Sequence, residues 1–263
     1  MPGPGYPCQV ANDLIGHTMP RIRKAAVLAA VLFMACQASQ SVHSATAATP
    51  ATLPDTLDQR LAACLACHSV KERNDAFFPR IAGKPAGYLY NQLLNFREGR
   101  RHYPLMTYMV DHLPDTYLRE IAEYFSNLHP AYAPPARGSA DSATEAMQQR
   151  GQQLVRHGDP ARKIPACVAC HGEQLTGVAP AIPGLVGLPA DYINAQFGAW
   201  RSKARRAQAP DCMAEIAGRL SVADVAALSG WLGRQTPDAS ARPAASIAQP
   251  LPLKCGSVAE GQP

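Results

Sequence analysis

The five-residue pattern Cys-x-x-Cys-His occurs at residues 64–68 and again at 167–171. Two copies of one spacing in a chain of 263 residues restrict the fold to two units built alike. The register extends well past the cysteines. "FFPRIAGKPAGYLYNQLLNFREGRR" aligns with "AIPGLVGLPADYINAQFGAWRSKARR", so that Pro79, Gly83, Tyr88, Gln92 and Phe96 match Pro183, Gly187, Tyr192, Gln196 and Trp200. Further on, Leu113, Leu118, Ile121 and Phe125 match Leu220, Val225, Leu228 and Leu232.

Each copy reads as a few helices joined by loops. Leu118, Ile121, Ala122, Phe125 and Leu128 recur at helical spacing, which predicts an amphipathic helix over 115–128. Its counterpart opens on Ser221 and Asp224, the spacing of a capping box. A second helix follows each of the Gly83 and Gly187 turns, and a third leads into each cysteine motif. No run of alternating β-branched residues suggests a sheet, so the fold class is all-α, a tandem duplication. The expected division is a leader over 1–47, a first domain over 48–130, a Pro-rich linker over 131–144, a second domain over 145–236 and a disordered tail over 237–263.

Cys-x-x-Cys-His is the attachment signature of c-type haem. Two thiols about one helical turn apart can add to the two vinyl groups, and the adjacent histidine meets the iron. The sequence thus calls for two covalently bound haem c groups, on Cys64 and Cys67 and on Cys167 and Cys170, with His68 and His171 on the irons. Aromatic residues make up only 6% of the chain, and a large cofactor supplies the core filling that they do not. Two other uses of paired cysteines fit less well. A zinc ribbon has its pairs much closer in sequence, and a thioredoxin-like pair needs a βαβ context.

The second axial position separates electron transfer from catalysis. Met106, Met109 and His102 are the candidates in the first copy, and Met213, beside Cys212, in the second. Met106 stands as far before Leu113 as Met213 before Leu220, so those two share one structural position and are the preferred ligands. Arg100-Arg101-His102 and Arg201 to Arg206 flank the ligand loops. They could hold haem propionates, dock an acidic partner, or lie solvated.

The N-terminal stretch bears Arg21, Arg23 and Lys24, an apolar run from Ala25 to Ala35, and Ala45-Thr46-Ala47, which is a small-x-small cleavage pattern. This reads as an export signal starting at Met19, too short to span a bilayer comfortably. Its removal takes Cys8 and Cys36. In an oxidising compartment Cys212 and Cys255 either pair as a disulfide or remain separate thiols, since spacing alone does not fix connectivity. The formal charge of +5, without a basic run interleaved with aromatics, gives no case for nucleic acid.

On these motifs, together with "FREGR" at 96–100 and the M-x-x-M-V-x-x-L-x-D pattern at 106–115, the chain resembles the cytochrome c4 family of exported proteins made of two class I cytochrome c domains. The resemblance covers Cys64 to Leu128 and Cys167 to Leu232. It implies His68/Met106 and His171/Met213 ligation, haems near one another across the domain interface, and Pro79 and Pro183 carbonyls that receive the imidazole hydrogen bonds. Ser69 departs from the family's usual glycine. The function implied is a periplasmic electron carrier, from a quinol-side donor toward a terminal oxidase, with peripheral membrane association left open. The alternatives are a di-haem redox enzyme such as a thiosulfate dehydrogenase, for which a Cys212 thiolate on iron would matter, and the electron-accepting subunit of a dehydrogenase complex.

Overall fold

The computed structural model describes residues 55–68, 75–132 and 144–258. The export signal, Ser69 and most of the linker lie outside the described residues. The first half comprises α1 (Leu57–Arg60), α2 (Ala62–His68), α3 (Ala86–Arg97), α4 (Pro104–Val110) and α5 (Asp115–Asn127). The second comprises α6 (Glu145–His157), a 3₁₀ turn at Pro160–Arg162, α7 (Val168–His171), α8 (Ala190–Arg201), α9 (Cys212–Arg219) and α10 (Val222–Leu232). A small antiparallel pair, β1 (Gly177–Val178) with β2 (Ile182–Pro183), departs from a purely helical pattern without changing the class.

Each half closes over its own core. In the first, Leu61 and Leu118 pack with Leu89, Phe96 and Phe125. The apolar stripe expected over 115–128 is that of α5, whose buried face is Leu118, Ile121, Ala122 and Phe125. In the second, α6 crosses α10 so closely that a Cβ on Gly151 would stand 2.3 Å from the Ala227 carbonyl oxygen. Only glycine permits that approach. The helix ends are satisfied locally. Thr144 accepts from the Met147 amide, and Ser221 and Asp224 form a reciprocal capping box.

Asp224 does more than cap. Its carboxylate receives Arg150 at 2.9 Å and Arg162 at 2.7 Å, and both arginines also hold Asp159. Burial alone would push the Asp224 carboxyl up, but the bonds from Arg162, Ser221 and Arg150 outweigh it and hold it well below the usual carboxylate range.

The halves meet along a pseudo-two-fold interface. Arg101 pairs antiparallel with Arg205: the His102 amide donates to the Ala204 carbonyl at 2.8 Å and the Arg206 amide to the Arg100 carbonyl at 2.7 Å. The Arg101 guanidinium donates to Tyr192 and Gln196 of the second half and to Gln92 of its own. Arg205 repeats this in reverse, donating to Tyr88, Gln92 and Gln196.

The tail is ordered over residues 237–258, contrary to the expectation of disorder from 237. Thr176 donates to the Arg242 carbonyl, Ala179 to the Ala244 carbonyl, and Ala244 back to Gly177. A disulfide joins Cys212 to Cys255 across 43 residues of sequence. Just beyond it the Gly256 amide donates to the Pro210 carbonyl, and Asn91 of the first half donates to the Ser257 carbonyl at 3.1 Å. The Pro-rich composition forms little local structure, but the segment borrows its partners from elsewhere in the fold. Among the described residues no helix is long and apolar enough to cross a membrane.

Candidate haem centres

In the second half α7 delivers Cys167, Cys170 and His171 to the wall of an apolar cavity, and the start of α9 delivers Met213 to the same cavity. Leu154 of α6, Phe197 and Trp200 of α8 and Leu228 and Leu232 of α10 complete much of the lining. The tail closes part of it with Leu251, Leu253 and Val258.

His171 is set for coordination. Its Nδ1 lies 2.7 Å from the Pro183 carbonyl oxygen, and a carbonyl can only accept, so Nδ1 carries the proton and Nε2 keeps its lone pair. Burial, and next the Lys84 charge, depress the ring's proton affinity against the raising effect of the Pro183 bond, which keeps it neutral. Burial also pushes the Cys167 thiol up to about 12, with Cys170 adding to the effect. A thiol held neutral in this way is unlike the low-pKa nucleophile of a redox pair, and a thioether requires no charge there at all.

The first half arranges the same residue types less tightly. Cys64 and Met106 pack against its core, and the His68 ring sits edge-on to Phe125 with centroids 6.4 Å apart. Burial lowers the proton affinity of His68 and prevails over the raising effect of the Pro79 carbonyl, and the buried Nδ1 closes no hydrogen bond among the described residues. Residues 69–74, which follow His68, are outside the described set.

A haem fits this donor set. Besides the thiols, imidazole and thioether, Trp200 keeps a buried Nε1 without a partner among the described residues. Arg205, buried on the cavity wall, donates to Gln92, Gln196 and Tyr88 and lies over the Trp200 ring at 4.0 Å from its centroid, with no carboxylate beside it among the described residues, and a haem propionate is such a group. Tyr192 is pushed up by burial and down by Arg101 and Arg205, and the two guanidiniums prevail.

Two sequence readings are revised by this geometry. Arg101 and Arg205 are interface residues rather than solvated charges. Cys212 is joined to Cys255, so it offers no free thiolate to an iron. The sequence reading missed Lys84 and the lining from the tail. The matched Tyr, Gln and Arg of both copies were a usable signal for the interface, because polar residues repeated at equivalent positions need a shared partner. Lys84 left no such signal, since the second copy has Leu188 there.

No protein-family model matches the chain. Among known proteins, a thiosulfate dehydrogenase electron acceptor from Thiomonas intermedia is 36% identical over 176 residues, covering 66% of this chain and 79% of that protein. A cytochrome c4 from Pseudomonas aeruginosa is 32% identical over 176 residues, covering 66% of this chain and 84% of the relative. The crystal structure of reduced recombinant cytochrome c4 from Pseudomonas stutzeri superposes with a TM-score of 0.57 at 30% identity, over 67% of this chain and 95% of that one.

Proposed function

The chain belongs to the cytochrome c4 family and is a di-haem c-type electron carrier, and from that premise we propose that it works in the periplasm, accepting electrons from a thiosulfate-oxidising dehydrogenase and passing them toward a terminal oxidase. Each haem supplies an iron that changes by one electron between ferric and ferrous. The protein's part is to hold, insulate and tune. Cys64 with Cys67 and Cys167 with Cys170 would anchor the two groups, and His68 with Met106 and His171 with Met213 would be their iron ligands. Thioether ligation favours the ferrous form and so raises the potential. Pro183 orients the His171 ring and would strengthen its donation; Pro79 stands at the matching position of the first half. Arg205, buried on the cavity wall at the junction of the halves, would hold a propionate carboxylate of the second group.

The observation that carries the assignment is that His171, with its Nδ1 already bonded to Pro183, lines the same apolar cavity as Met213. The 36% identity to a thiosulfate dehydrogenase electron acceptor supports the choice of donor. A disulfide between Cys212 and Cys255 suits an oxidising compartment.

Rapid mixing of the oxidised protein with a thiosulfate dehydrogenase and thiosulfate tests the partner. Reduction of both haems in the first turnovers is the expected result. Reduction by a quinol-oxidising complex alone would move the donor upstream. The ligand set is tested by the near-infrared methionine-to-iron band, which must be present for both haems, with no carbon monoxide binding to either.

A further inference from the structure

Lys84 belongs to the first half but serves the second. It precedes α3 and is buried, 8% exposed, where an amine without a partner is costly. Its Nζ crosses the interface and donates to the Gly184 carbonyl oxygen at 2.8 Å. Gly184 directly follows Pro183, whose carbonyl receives the His171 imidazole. On its inner side this turn is already gripped: a Cβ on Gly184 would stand 2.4 Å from the Thr176 carbonyl oxygen, and the Leu185 amide donates to the Leu175 carbonyl at 2.8 Å. Lys84 holds the outer side. The duplication supplies an internal control, because Leu188 occupies the matching position of the second half and joins its hydrophobic core. An apolar side chain is therefore sufficient for that corner of the fold, and the lysine has a further use.

We propose that Lys84 is a positioning residue for the second haem: by bonding Gly184 it fixes the Pro183 carbonyl against His171, so that the first half sets part of the second haem's potential. The inference rests on His171 being an iron ligand, as proposed above. The chemistry is directional. A well-aligned Nδ1–H to carbonyl bond makes the imidazole a stronger donor, which favours the ferric state. Loosening that turn weakens the donation and raises the potential.

The test is a spectroelectrochemical titration of the mature di-haem protein, with the second wave identified by its displacement in Met213→His. Lys84→Met should raise that wave alone, changing its oxidised-to-reduced ratio about tenfold, or about 59 mV for one electron. Lys84→Arg, which keeps a long donor, should return it toward the wild-type value. An unchanged second wave overturns the proposal. So does a fall, which would report lost charge rather than lost position, and so does an equal movement of both waves, which would report a loosened interface. If Lys84→Met does not mature, Lys84→Gln, whose amide falls about one bond short of Gly184, must raise the second wave for the proposal to stand. If Met213→His displaces neither wave, the ligand assignment fails instead, and the two failures are distinguished.

Discussion

The two halves of this chain follow one template, yet among the described residues more of the chain covers the second than the first. In the second, α6 runs 13 residues and locks against α10 at Gly151, an Asp159–Asp224 cluster holds two arginines, and a disulfide-tied tail covers part of the haem cavity. In the first, α1 has 4 residues, and Phe77 and Tyr108 are 69% and 78% exposed, with Leu105 exposed beside Met106. The exposed positions are instructive in pairs. Leu105 corresponds to Cys212, so the same site beside the matched methionine is exposed in one half and joined by a disulfide in the other. A duplicated domain can thus keep its cofactor chemistry while one copy gives up access for insulation.

The difference can be broken most strongly at the tail. Replacing both Cys212 and Cys255 with serine removes the constraint of a 43-residue separation, worth about 4 kcal/mol in a chain-entropy treatment. Denaturant unfolding followed at each haem should show the second half weakened and the first unchanged, and carbon monoxide should gain access to the second haem alone. Gly151→Ala comes next. Its methyl group would press on Ala227, and overpacking of this kind should cost about 3 kcal/mol, read as a lower midpoint for the second half only.

The Asp224 cluster sharpens the contrast by pH. Its folded-state pKa is depressed, so its stabilisation is present above the ordinary unfolded carboxylate pKa of about 3.9 and is lost as pH falls through the folded value. Asp224→Ala should cost the second half about 2 kcal/mol at neutral pH and flatten its acid unfolding profile, measured by circular dichroism. The smallest effect belongs to the first half. Glu120→Ala removes an exposed pair with Arg60, 3.3 Å apart, and should shift stability by less than about 1 kcal/mol, disappearing at high salt.

The cysteine motif and the shared register made the helices legible and pointed to the histidine and methionine of each proposed ligand pair, because spacing along one chain encodes what a helix turn or a loop can reach. The amphipathic pattern located α5 for the same reason. The tail was not legible. Pro243, Pro250 and Pro252 read as disorder when only local propensity is considered, whereas Ala244 is held by Gly177 and Ala179, far earlier in sequence. Lys84 was hidden more thoroughly. Its partner is a backbone carbonyl of the other half, and a carbonyl carries no side-chain signature.

The Arg101–Arg205 junction has a consequence for ancestry. Its main bonds come in mirrored pairs: His102 to Ala204 is answered by Arg206 to Arg100, and Arg101 to Tyr192 and Gln196 by Arg205 to Tyr88 and Gln92. Such a surface is self-complementary, the property that defines an isologous dimer contact. A single-copy forebear carrying these residues would have met its own twin through the same patch. Joining two such chains would require no new contact, and it would leave each copy able to change without the other. Lys84 facing Gly184, with Leu188 in the mirror position, is one place where the two copies differ.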